Sequence, residues 1–262
     1  MRPVAAHAEL LEISASDPWV RWGLSATMPE PAWVDGTMAV VPRMGRRPGF
    51  WVTPLVGAVA PEQLRAALLW LRDSGEIERL AATGLSVPQG HLAIAEDVFD
   101  LDDGGDWEWM WTTTEPSLDP REALVEELDD REDAEELSAF SHAHNARVWT
   151  EIGTGRVSRW LGLRDPKGRL IAVGGVELED SGVPHLSGIV TARDHRGQGL
   201  GSVISAALTR DALAEHGVCT LGMFSDNDVA RRVYHRLGYR TARCWNSRRL
   251  ADADRAPRRP SH

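Results

Sequence analysis

The run Arg196-Gly197-Gln198-Gly199-Leu200-Gly201 stands between a β-like stretch and an apolar stretch of helical period. Alternate glycines let the backbone turn sharply and approach a ligand closely. A helix starting there leaves its first amides without intrahelical partners, at the positive end of its dipole. Arg196, Gly197, Gln198, Gly199, Leu200, Gly201 and Ser202 can therefore offer backbone N–H groups to a pyrophosphate, and Arg196 adds a positive charge. The same glycines would also serve a plain strand-to-helix turn, and the motif alone does not choose. No Gly-Lys-Ser/Thr follows, which disfavours a nucleoside triphosphatase loop. The preceding strands read as an antiparallel meander, which disfavours a dinucleotide fold.

Around this loop the C-terminal half is legible. Strands are expected over 160–164, 170–178 and 186–191, joined by Asp165-Pro166-Lys167-Gly168 and Ser181-Gly182-Val183-Pro184. Leu200, Val203, Ile204, Ala207 and Leu208 keep helical spacing over 200–215, and Gly217 can end that helix. A strand over 218–224, a short helix over 228–237 closed by Gly238, and a strand over 239–245 complete it. The acidic stretch 122–143 reads as a helix with a solvated face, one that could also attract a cationic acceptor. The order αβββαβαβ describes an α/β fold with a mixed, largely antiparallel sheet flanked by helices.

The N-terminal half differs in composition. Trp19, Trp22, Trp33, Trp51, Trp70, Trp107, Trp109 and Trp111 all lie in it, leaving only Trp149, Trp160 and Trp245 beyond. A helix is expected over 61–80, with Pro61 at its first position. A strand with an aromatic face is expected over 107–112 after a turn at 102–105, with weaker strands at 37–41 and 50–55. The seam falls at 112–121, rich in Thr, Pro, Ser and Asp. The expected organisation is an α/β domain over 1–112, a second domain over 119–250 and a disordered polar tail over 251–262. No internal repeat is visible.

A net charge of −10 argues against a nucleic-acid binder and suits a small or cationic partner. No apolar run has the length of a membrane span, and the N-terminus lacks a signal-peptide core. Cys219 and Cys244 form no close pair, which fits reduced thiols in a cytoplasmic protein. His142 and His144 are two apart and diverge on a helix, so no metal site is indicated. No nucleophilic Ser or Cys motif stands out.

A later segment joins the glycine loop to a family. Arg196, Gly199 and Gly201 match Arg/Gln-x-x-Gly-x-Gly/Ala, and Asn227, Ala230, Tyr234, Gly238 and Tyr239 match Asn…Ala…Tyr…Gly-Tyr/Phe. In order and spacing, residues 160–245 resemble the GNAT superfamily of N-acetyltransferases. Arg193 and His195 depart from the proline and aromatic common there, without touching the glycine geometry. The resemblance is strong over about a third of the chain and says little about residues 1–112, which read either as a degenerate second lobe of the same fold or as a separate small domain.

The resemblance implies acetyl transfer from acetyl-coenzyme A, as co-substrate, to a primary amine of a small-molecule or peptide acceptor. The amine would attack directly in a ternary complex, without a metal. It places Ile189, Val190 and Thr191 along the pantetheine arm, with a backbone N–H at Val190 on the thioester carbonyl. It makes Tyr234 the general acid for the departing thiolate; a packed helical aromatic is the bland alternative. Asn227 touches the pantetheine or simply caps its helix, and Tyr239 reads as core. For the base, His185 is the first candidate beside an ordinary turn histidine, then Glu177 and Glu179; water could also carry the proton. A longer acyl donor, a catalytically silent acyl-coenzyme A sensor or scaffold, and a pure interaction protein remain alternatives, and the assembly is a monomer or a homodimer.

Overall fold

The computed structural model describes residues 1–45 and 47–251, so the tail expected to be disordered lies, Ala251 excepted, outside the described residues. The chain divides into two compact units. The first holds Met1–Glu108, Phe224–Asp226 and the segment from Arg243; the second holds Trp109–Met223 and Asn227–Ala242. In chain order the elements begin with β1 (Arg2–Val4), α1 (His7–Ile13), α2 (Pro18–Gly23), β2 (Ala32–Asp35), β3 (Met38–Arg43), β4 (Gly49–Pro54), α3 (Pro61–Asp73), α4 (Glu76–Arg79), β5 (Gly84–Pro88), α5 (Leu92–Glu96) and β6 (Leu101–Thr112). They continue with β7 (Glu126–Leu128), α6 (Ala134–His144), β8 (Val157–Arg164), β9 (Leu170–Leu178), β10 (Pro184–Thr191), α7 (Leu200–His216), β11 (Cys219–Phe224), α8 (Asp228–Arg236) and β12 (Arg240–Leu250).

In the first unit β2, β3 and β4 form an antiparallel meander whose β3–β4 register is unbroken from Met38↔Pro54 to Arg43↔Gly49. Helix α3 then crosses to β5, which lies parallel to β4 through Gly49↔Gly84 and Trp51↔Ser86. One sheet face buries Phe50, Val52, Leu85 and Val87 against Leu64, Ala67, Leu68 and Leu71 of α3. A second cluster joins Trp19, Trp51 and Trp245, with Trp19 5.4 Å from each of the other rings. Asp17 holds it, accepting the α2 amides of Trp19 and Val20 and pairing with Arg243 at 2.8 Å. Two expectations change here. The helix over 61–80 ends at Asp73, because Gly75 takes φ +77° and the chain restarts as α4. The turn at 102–105 is part of β6: a Cβ on Gly104 would strike the Ser247 backbone, so glycine there permits close strand approach.

The second unit runs β6-β11-β10-β9-β8-β7 across its strands. Strands β8, β9 and β10 are an antiparallel meander, α7 crosses, and β11 returns parallel to β10. One face buries Leu186, Ala172 and Leu221 under Val203, Ile204 and Leu208 of α7. The other buries Trp160 and Val190 under Leu137 and Phe140 of α6. The expected mixed, largely antiparallel sheet flanked by helices is the observed one.

The long acidic helix over 122–143 is corrected. Only Ala134–His144 is α-helical; Pro120–Leu124 is a 3-10 turn, and Glu126–Leu128 pairs with β8. Asp129 breaks the helix by accepting the amides of Arg131 and Glu132, both at 2.8 Å. Asp130 is buried and accepts Trp160 Nε1 at 2.8 Å with the amides of Gly153 and Gly155. Much of the acidic run is therefore used locally, Glu126 and Glu136 both pairing with Arg164. Among the described residues no helix is long and apolar enough to cross a membrane.

Candidate active site

Strand β10 bends at one point. Its register with β9 runs His185↔Glu177, Leu186↔Val176, Ser187↔Gly175 and then resumes at Val190↔Val173. Gly188 and Ile189 thus face the single residue Gly174, a β-bulge. Gly188 has φ +62°, and a Cβ there would lie 2.7 Å from the buried Trp160 ring, so only glycine fits on both counts. On its other edge β10 pairs with β11 at His185↔Thr220 and Leu186↔Leu221, and no further among the described residues. Beyond that point β10 has left β11.

The bulge decides which amides are available. Ala192 donates to Ile171 at 2.9 Å, and Val190 stands opposite Val173. Amides two apart on a strand point the same way, so the Val190 N–H is turned into the β9 ladder. Those of Ile189 and Thr191 face the edge that β11 has left. The expected donor at Val190 is thereby corrected, since its amide is committed within the sheet.

The glycine loop follows. Gly197 and Gly199 take φ +77° and +78°, and Gly199 starts α7 without a side-chain cap. Ser202 and Val203 donate to the Gly199 carbonyl, whereas the amides of Gly197, Gly199, Leu200 and Gly201 have no intramolecular acceptor among the described residues. No acidic residue sits in the first turn of α7. Gly201 lies against Thr191 Oγ1, where a Cβ would come within 3.2 Å, so the helix start is seated on β10. The Arg196 guanidinium turns inward, donating to His144 O at 2.6 Å and Thr191 O at 3.4 Å, and straps the loop to the end of α6. Another arginine covers the loop: Arg121 donates to Gln198 O at 2.7 Å and is held by Asp119. It is 77 residues distant in sequence, and no motif marks it.

Asn227 caps α8, accepting the Ala230 amide at 3.1 Å; its side chain is exposed. Tyr234 is buried, its ring 5.8 Å from that of Tyr239 and its hydroxyl directed at Ser205 of α7. Burial pushes the Tyr234 phenol up to about 12, so it is a proton donor at neutral pH. Tyr239 is core, bonded to Thr209 Oγ1 at 2.8 Å.

His185 lies half-buried on β10, its Nδ1 3.0 Å from Thr220 Oγ1 and 3.3 Å from Glu179 Oε1. On the same face Ser187 donates to Glu177 at 2.8 Å and meets Thr150 Oγ1 at 2.6 Å. Thr150 Oγ1 also borders Gly188, so this hydroxyl chain ends at the bulge. The structure thus gathers the loop, the bulge and His185 along β10 and its continuation. Thr150, Ser187 and Thr220 carry no recognisable sequence signal.

The model of the acetyltransferase (GNAT) family matches residues 108–239. The chain belongs to the GNAT family. Its solved neighbours show the fold over nearly the whole chain, first unit included. A GCN5-related N-acetyltransferase from Kribbella flavida is 17% identical, covering 92% of this chain and 95% of its own, with a TM-score of 0.53. A GNAT acetyltransferase from Colwellia psychrerythraea is 15% identical, covering 95% and 98%, with a TM-score of 0.53. A Drosophila protein is 14% identical, covering 96% and 98%, with a TM-score of 0.58. No curated protein matches the chain. The GNAT fold supports acyl transfer, and the matched stretch includes the bulged strand, the glycine loop and Tyr234 of the second unit.

Proposed function

We propose that the second unit transfers an acetyl group from acetyl-coenzyme A to a primary amine by direct attack in a ternary complex. The observation that carries this reading is the parting of β10 from β11 at a bulge, directly before a helix start with free amides. The amides of residues 197–201 and the Arg121 guanidinium bind the pyrophosphate. Arg196 and Ser202 frame that loop, and Asn227 orients the pantetheine with whatever its capping bond leaves free. The exposed edge of β10 at Ile189 and Thr191 pairs with the pantetheine arm, and the Ile189 N–H polarises the thioester carbonyl.

The neutral amine nitrogen attacks the carbonyl carbon, and His185 accepts the proton that this nitrogen loses as the bond forms. As the C–N bond forms the C–S bond breaks, and Tyr234 gives its proton to the departing thiolate. A phenol held protonated by burial suits that step. The first unit repeats the meander, crossover helix and parallel strand, but its α3 opens with Pro61 at N1 and Glu62 in the first turn. We read it as a degenerate second lobe that binds no coenzyme A. The acceptor is a small molecule or peptide, and the protein works in the cytoplasm as a monomer or homodimer.

One observation favours a second reading, a silent acyl-coenzyme A sensor: Tyr234 lies inside the core. Thermal unfolding with acetyl-coenzyme A, followed by product assays on a panel of amines, separates the readings. A stabilised protein that acetylates an amine supports the enzyme. Stabilisation without product on any amine supports the sensor, and no stabilisation removes the donor from both.

A further inference from the structure

His185 meets Thr220 through one ring nitrogen, and the second partner of the Thr220 hydroxyl, an accept-only carbonyl, favours one arrangement of protons at that contact. Thr220 Oγ1 donates its only proton to Pro184 O at 3.0 Å. Toward His185 the hydroxyl can therefore only accept. The second group at Nδ1, the Glu179 carboxylate at 3.3 Å, likewise only accepts when ionised. Nδ1 must carry a hydrogen to satisfy either, which in the neutral ring leaves the lone pair on Nε2. Nε2 has no protein partner among the described residues. The other charged group facing the ring is Glu177, opposite His185 in the β9 register and already accepting from Ser187.

The arrangement follows from the fold. Thr220 is buried on β11 at the register position of His185, in the last stretch where β10 and β11 run together. The strand pairing that ends at Leu186↔Leu221 thus clamps the imidazole one step before the strands part.

We propose that Thr220, fixed by the Pro184 carbonyl and assisted by Glu179, is a positioning residue that holds His185 in the Nδ1–H tautomer and leaves Nε2 as the proton acceptor. This rests on the reading of His185 as the base. It asks nothing of the ring except a base held in one tautomer by a third group, the general logic of a base and its orienter.

The test has a spectroscopic arm and a kinetic arm. Long-range nitrogen–proton NMR on the full chain, with the His185→Gln spectrum identifying the signal, reads the tautomer directly. The expected result is an Nδ1–H ring in the wild type and a mixture of tautomers in Thr220→Val, which keeps the shape of Thr220 and loses its acceptor. Thr220→Ser should restore the wild-type signal. In amine acetylation Thr220→Val should lower kcat about tenfold, less than the roughly hundredfold or more that loss of a general base itself costs, with KM for acetyl-coenzyme A unchanged. An Nε2–H ring in the wild type, or a Thr220→Val ring unchanged in tautomer, overturns the proposal. Full activity in His185→Gln with an Nδ1–H wild-type ring would instead overturn the base reading while leaving the tautomer assignment standing.

Discussion

The two units build the same motif with opposite endings. In each, three antiparallel strands lead into a crossover helix and a strand parallel to the third: β2-β3-β4-α3-β5 and β8-β9-β10-α7-β11. The third strand is straight in the first unit, its register with β3 unbroken, and bulged in the second at Gly188 and Ile189. Helix α7 starts from a left-handed glycine with its amides free and no acid in the first turn. Helix α3 starts from Ala60 with Pro61, which has no N–H to offer, and Glu62, whose charge repels an anion. The architecture is therefore shared, and a few residues at the helix start decide whether free amides are offered there.

The hardest test of this difference is Gly199→Glu. It places a side chain at φ +78° and a negative charge where the pyrophosphate would lie. Acetyl-coenzyme A at a hundred times its wild-type dissociation constant should stabilise the wild type by about 2.7 kcal/mol and the variant by nothing measurable. Glu62→Gln in the first unit should change neither value, because Pro61 still lacks its donor; a second binding event in calorimetry would break the contrast.

Tyr234→Phe comes next. Loss of the acid should cut kcat about a hundredfold with little change in donor affinity, read by steady-state kinetics beside thermal shift. Unchanged turnover across the pH range would move the sulfur's proton to another group.

Asp130→Ala sharpens the comparison in stability. It strands the Trp160 indole and the Gly153 and Gly155 amides, and should cost the second unit about 3 kcal/mol in denaturant unfolding. The ring it anchors is the one that Gly188 accommodates, so the bulge should loosen with it.

The smallest effect concerns alkali. Both tyrosines of the chain and Cys219 belong to the core of the second unit. Burial raises the Cys219 thiol from 9.0 to about 11 and the Tyr234 phenol from 10.0 to about 12. Groups raised on folding contribute stability that is complete below the unfolded pKa and lost as pH rises toward the folded one. The loss should begin near pH 9.0 for Cys219 and near pH 10.0 for Tyr234, reaching roughly 2 kcal/mol by about pH 10. Unfolding followed by tyrosine absorbance should show it; a flat profile to that pH would mean water reaches both groups.

Much of the second unit could be read directly. Glycine at 197, 199 and 201, the meander turns and the spacing of Tyr234 are local signals, and each led to the observed element. The acidic stretch misled because its periodicity was helical, while the fate of 126–128 depended on β8, thirty-odd residues later. Val190 misled for a related reason: only strand register says which way an amide points, and a bulge resets it. Arg121 and Thr220 were invisible because their partners, Gln198 and His185, are remote along the chain.

Residue type at short spacing was enough for the family, the glycine-rich helix start and the placing of Tyr234, because backbone sterics and helix ends act over that range. Packing settled that Ile189 and Thr191 rather than Val190 face the parted edge, and that Thr220 and Glu179 meet Nδ1 of His185. Those outcomes depend on strand register and on which side chains a neighbouring strand brings alongside, and neither is defined until distant segments have packed.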